Sequence, residues 1–421
     1  MRRVSLALAA PLGAAALALT PAAGAGAWSA PVRVSAPDRA AYGAAAVAAG
    51  PGGGAIAAWV RTPPGAPGGA GRVQVASRRP GGGWGRPRTL SGPGASLTRL
   101  ALTEGGDAAA AWRNGRLVVA ALRRGPAGPW RRGRVVEAAA PVQDLAVALD
   151  RHGRATAVWI ERLGDDFQVR LATSDAAGGW SVRAARLATP GPEPPSLALS
   201  PGRGALAAWV DDGRVLASRT VAGAFERPVE MSDADGSSAG AALGGSGSAL
   251  VSWSVRLPGG TEVLQAAGRA ATAPRWGAPE DVGIGGAPAV AINAFGDAVV
   301  AWGGGAAGGD QSVEASTRLK GGLWRASTVL ALRRCDCELR ATGAAIDGRG
   351  TAVVSWRRDE GEAQSGGAAA LAPSGERWER APIPGGAASG APAVAAAPTV
   401  GEAAAWAVGG PGGGVRTAQR R

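Results

Sequence analysis

Cysteine, histidine, tyrosine and lysine are almost missing from this chain: its 421 residues include two Cys, one His, one Tyr and one Lys. Each shortage removes a class of chemistry. With His152 alone, a metal centre built from His and Cys clusters has no ligand set, and a Ser-His triad would rest on one turn residue. No metal and no cofactor is implied. Cys335 and Cys337 stand two apart, near the ~7 Å limit that a disulfide can bridge in extended chain. A local, strained bridge that fixes their loop is expected. Tyr42 is the single candidate for a sialidase-like nucleophile. Beyond residue 27 no stretch approaches the ~20 apolar residues needed to cross a bilayer as a helix.

Tryptophan, by contrast, is plentiful and periodic. Eight of the 15 Trp close a run of alternating small residues: Trp59, Trp112, Trp159, Trp209, Trp253, Trp302, Trp356 and Trp406. Six of these have Gly six positions earlier, seven have Ala four earlier, and all have Ala or Val two earlier. The other seven alternate with them: Trp28, Trp84, Trp130, Trp180, Trp276, Trp324 and Trp378, with Phe225 in the one gap. Copies of the first series lie 44 to 54 residues apart, the period of a solenoid, propeller or array. Within a unit the apolar pattern has period two and covers both faces, which is the mark of a strand buried on both sides. In the third unit such runs fall at 145–149, 155–160, 168–173 and 180–187, separated by Gly- and Asp-rich turns. Four antiparallel strands per unit make a propeller blade. Blades converge on an axis, so inner strands need small side chains, and Trp fills the wider space outside.

The two ends complete each other. Residues 1–27 read as a secretory signal, with Arg2 and Arg3, an apolar stretch, and Ala25-Gly26-Ala27 as cleavage site, for which Ala23-Gly24-Ala25 would serve equally well. Residues 28–421 then form one propeller domain. Its first segment, Trp28 to Ser35, has the form of a fourth strand with no preceding three. At the far end Pro392 to Ala397, Glu402 to Trp406 and Val415 to Gln419 give three strands with no fourth. The expected fold is all-β: an eight-bladed β-propeller of four-stranded antiparallel blades, the last closed by the N-terminal strand. Seven blades is the alternative.

The unit Val-Ala-x-Asp-x-x-Gly-x-Ala-x-Ala-x-Trp, followed by Gly-Gly-Trp, resembles the repeats of secreted bacterial β-propeller proteins of unassigned function. The resemblance covers essentially the whole chain after residue 27, and it implies an architecture rather than an activity. Kelch units would need Tyr, and WD units a Trp-Asp pair that never occurs here.

Charge is the remaining signal. Removing Arg2 and Arg3 leaves a net charge of +11, and the segment from Arg61 to Arg134 alone has 14 Arg against Glu104 and Asp107. Nine of these arginines fall at the hairpin before the last strand, or within it, in the first two blades: Arg78, Arg79, Arg86, Arg88, Arg123, Arg124, Arg131, Arg132 and Arg134. Equivalent hairpins of neighbouring blades lie side by side, so the nine are expected to form one basic outer patch for a polyanion. The function expected is a secreted, non-enzymatic binding propeller, monomeric, for anionic or carbohydrate polymers of a cell envelope. The alternative is a carbohydrate-active enzyme or a propeller lectin. For the enzyme, carboxylate pairs would come from Glu161, Asp165, Asp166, Asp211, Asp212, Asp359 or Glu360, all just after a first-series Trp.

Overall fold

The computed structural model describes residues 28–420, apart from 51–53, 68, 176, 192, 233–234, 307–309, 335–336, 361–362, 374–376, 381–392, 397–401 and 409–413. The expected signal segment and Cys335 lie outside these residues; Cys337 is disulfide-bonded. The described elements are all strands, and no helix among them is long and apolar enough to cross a membrane.

The strands form eight antiparallel sheets. Seven are continuous in the chain, spanning 41–89, 95–137, 142–189, 196–230, 236–284, 286–334 and 338–380. We number these blades 1 to 7. Blade 8 is composite: Ala393–Ala396, Glu402–Val408 and Gly414–Arg420, with Val32–Arg33 as its outer strand. The innermost strand of each blade contacts the innermost strand of the next, and Ala393–Ala396 contacts Ala41–Ala49, so the ring closes.

Blade 3 shows why the repeat has its pattern. Trp159 pairs with Leu145 on the inner strand and with Arg170 on the third. Ala155, Ala157 and Trp159 pack on Ala109, Ala111 and Val118 of blade 2. The alternate residues Val158 and Ile160 pack on Ala205, Ala207 and Trp209 of blade 4. Each second strand is thus sandwiched between neighbours, and Ala permits the close approach near the axis. Trp59, Trp112, Trp159, Trp253 and Trp302 are at most 1% exposed. Burying ~150–250 Å² per ring contributes up to ~4–6 kcal/mol each. The second Trp series, at the outer strands, is half-buried. The repeated Gly has a backbone reason: Gly106, Gly153, Gly247, Gly296 and Gly350 all adopt φ between 71 and 98°, a left-handed turn between first and second strands.

Two details differ from the sequence pattern. The second-series Trp opens the outer strand in blades 2 and 3, whereas in blades 5, 6 and 7 the strand begins after it, at Glu280, Thr328 and Glu379. In blade 4, where Phe225 stands for Trp, the outer strand is split into Ala224–Phe225 and Val229–Glu230. The composite closure follows the expectation: Val32 pairs with Thr417 and Arg33 with Arg416. Val34 N–H donates to Val415 O at 2.8 Å, and Val415 N–H donates to Ser35 Oγ at 3.0 Å.

Candidate anion-binding rim

The third strand of blade 1, Arg72–Arg78, and its outer strand, Arg88–Thr89, are paired by Val75 with Arg88. Paired residues share a face of the sheet. Val75 packs on Ala108 and Trp130 of blade 2, so Arg88 belongs to the face turned toward blade 2. In blade 2, Ala121 pairs with Arg132 and Val119 with Arg134. Ala121 and Val119 pack against Val73 of blade 1, which turns Arg132 and Arg134 toward blade 1. Arg131 alternates to the other face. The cleft between the outer edges of blades 1 and 2 is therefore flanked by arginine on both sides.

The nine arginines are not equivalent. Arg79, Arg86, Arg88, Arg131 and Arg132 are exposed and make no ion pair among the described residues. Arg134 is exposed and paired with Glu137 at 2.6 Å. Arg124 reaches Asp107 Oδ2 at 3.3 Å and the carbonyl of His152 in blade 3 at 3.1 Å. Arg78 is half-buried and donates to Gly82 O at 2.8 Å. Arg123 departs from the expectation of a shared outer patch, because it is only 6% exposed. It inserts between blades 2 and 1, donating to Ser77 Oγ at 2.9 Å and Gly106 O at 3.2 Å, with its guanidinium 5.3 Å from the Trp130 ring centre. Burial lowers its pKa, the Asp107 carboxylate opposes that shift, and the neighbouring Arg88 cation adds to it.

Sequence reasoning missed a recurring contact that explains this burial. Arg269 and Arg318 occupy the position of Arg123 in blades 5 and 6, each paired with the first Ala of the second strand. Arg269 reaches Glu226 of blade 4 at 2.7 Å, and Arg318 reaches Glu280 of blade 5 at 2.7 Å. Arg318 also lies over Trp324 at 4.7 Å, as Arg123 does over Trp130. The signal was available as a Glu 43 and 38 residues before each Arg.

Several of the candidate carboxylates are engaged within the fold. Glu161 is 1% exposed and accepts the Trp159 indole N–H at 2.7 Å, a packing role. Asp359 is engaged by Arg357 at 2.7 Å, and Asp211 lies 4.0 Å from Arg214. His152 is exposed in its turn. Tyr42 is 2% exposed and donates to Asp38 at 2.5 Å and Ala36 O at 3.0 Å. Burial, together with its bond to Asp38, raises its pKa, the reverse of what a phenolate nucleophile needs. Arg61 completes this cluster, bonding Asp38 Oδ2 through Nε at 2.9 Å and Nη2 at 2.6 Å. Its work is to tie the closing N-terminal segment to blade 1.

No protein-family model matches the chain, and no curated protein matches it. Among solved structures, an ulvan lyase of a polysaccharide lyase family is similar at 10% identity and a TM-score of 0.46, covering 91% of this chain and 95% of that one. The fucose-specific lectin of Aleuria aurantia is similar at 14% identity and a TM-score of 0.39, covering 70% and 95%. A protein of unknown function from Dyadobacter fermentans is similar at 15% identity and a TM-score of 0.41, covering 68% and 96%. These are likenesses of fold alone; it is the closed ring of antiparallel sheets that makes the chain a β-propeller.

Proposed function

We propose that the chain is a secreted, non-enzymatic binding propeller that holds an anionic polysaccharide of a cell envelope against the outer rim of its first two blades. One observation carries this reading: five exposed arginines without ion pairs sit on two adjacent blade edges. Clustered like charges repel one another in the free protein, and a polyanion relieves that repulsion. Planar guanidinium groups bind carboxylate and sulfate oxygens two at a time, which favours such groups over neutral hydroxyls. The near-total use of Arg over Lys follows a composition found along the whole chain, so the supporting fact is the local scarcity of acids, not the choice of base. The test is binding of residues 28–421 to polygalacturonate and to neutral dextran over a salt series. The reading requires binding to the uronate polymer that weakens steeply as salt rises, with none to dextran. Equal binding to both polymers, or binding indifferent to salt, would overturn it.

A further inference from the structure

The interface between blades 1 and 2 repeats the one between blades 5 and 6 with one member reversed in charge. Trp59 pairs with Gln74 and Trp253 with Gln265, which aligns the third strands of blades 1 and 5. One residue further along, Val75 pairs with Arg88, and Ala266 pairs with Glu280. Arg88 therefore stands where Glu280 stands. Two residues further still, Ser77 corresponds to Gly268. A Cβ on Gly268 would lie 3.2 Å from Arg318, just as Ser77 bonds Arg123. The two arginines thus enter equivalent seats on the preceding blade, and each lies over the outer-strand Trp of its own blade, Trp130 and Trp324. Arg318 finds a carboxylate there, while the outer strand facing Arg123 presents Arg88 at that position.

A buried cation that faces another cation is costly unless an anion joins it. The Asp107 carboxylate favours the charged form of Arg123 but lies outside ion-pair reach of it and is bonded instead by Arg124 and the Gly125 N–H, and the Arg123 Nε is buried with no hydrogen-bond partner. The two bonds of Arg123 go to neutral acceptors, Ser77 and Gly106. In blade 5 the equivalent seat is reached from the outer edge: Glu280 keeps 41% of its side chain exposed while it pairs with Arg318. A separate cleft of about 140 Å³ between the turns of blades 1 and 2 is lined by Arg123, Ser77, Arg78, Arg79 and Glu104, and Arg88 is not part of it.

We propose that the seat between Arg88 and Arg123, at the facing edges of blades 1 and 2, is a specific oxyanion subsite, in which one carboxylate or sulfate ester of an acidic polysaccharide bridges the two arginines in the place that Glu280 fills between blades 5 and 6. The inference rests on the polyanion reading above and narrows it to one seat. Arg79 and Arg131 contribute general attraction at the rim, whereas Arg88 and Arg123 contact the bound group.

Arg88→Glu tests it, because that change restores the side chain seen in blade 5. The variant is compared with wild type and with Arg325→Glu, which makes the same charge change on an exposed residue of blade 6. Each protein is melted, then titrated with oligogalacturonate, which carries only carboxylates, and with carrageenan oligosaccharides, which carry only sulfates. The expected result is that Arg88→Glu melts above wild type, through its new pair with Arg123, and binds at least about tenfold more weakly. Arg325→Glu keeps wild-type affinity within about threefold. The oligosaccharide that loses affinity identifies the group bound in the seat. Arg88→Glu melting at or below wild type, or binding as wild type does, overturns the subsite. If it binds as wild type while serine at Arg79, Arg86, Arg131 and Arg132 weakens binding, the subsite falls and the rim reading stands. If wild type binds neither oligosaccharide nor polygalacturonate, the rim reading falls and takes the subsite with it.

Discussion

Trp159 and Asp38 show how differently single side chains contribute to this ring. Trp159 is fully buried between blades 2 and 3, with its indole N–H on Glu161. Trp159→Ala leaves a cavity and a buried carboxylate without its donor, so a loss of ~3–5 kcal/mol in denaturant unfolding is expected. A variant of unchanged stability would contradict the core role. Asp38 acts through charge. Burial by itself would raise its pKa, but bonds from Tyr42 and Arg61 outweigh that and hold it below the ordinary 3.8. A carboxyl lowered on folding stabilises above its unfolded pKa, and the effect fades as pH falls through the folded value. Asp38→Asn is therefore expected to melt lower than wild type at pH 7 and to approach it below pH ~4. A gap that persists to pH 2 would contradict this. The Trp positions were legible because burial on both faces forces a repeating pattern. The fate of Arg123 was not, because it depends on which residue the neighbouring blade presents 46 positions away at Ser77.

Strand count and order followed from the spacing, since each turn carries its own Gly or Asp signal. Asp150, Asn293 and Asp347 each accept two or more backbone N–H groups within the turn between first and second strands. The start of the outer strand was less legible. A half-buried edge is held by fewer contacts, so the Trp there marks a packing position rather than a pairing position. The composite blade was read from a surplus strand at one end and a deficit at the other, and the pairing of Arg33 with Arg416 agrees. Deleting residues 28–35 removes the outer strand of blade 8 and the clasp between Ser35 and Val415. A drop in melting temperature of the whole ring is expected, because closure contacts are lost together. Unchanged melting would show that the N-terminal strand is not needed to close the ring.

For the whole molecule, the ring is regular in shape and uneven in charge. Blades 4, 5 and 6 tie themselves to one another by Arg–Glu pairs across the interfaces, at Arg269–Glu226 and Arg318–Glu280. Among the described residues blades 1 and 2 show no such pair, and they present arginine on both sides. The excess of arginine was visible in sequence; the division into five free groups, three tied groups and one buried group required the third dimension. The most direct test compares two fourfold variants in binding to polygalacturonate. One changes Arg79, Arg86, Arg131 and Arg132 to Ser, on the rim of blades 1 and 2. The other changes Arg227, Arg275, Arg325 and Arg349 to Ser, four exposed residues spread over blades 4 to 7. Net charge falls equally in both. With both melting as wild type does, the rim variant should lose most of its affinity at physiological salt while the dispersed variant keeps most of it. Equal loss in the two would mean that total charge alone, and no place on the ring, attracts the polymer.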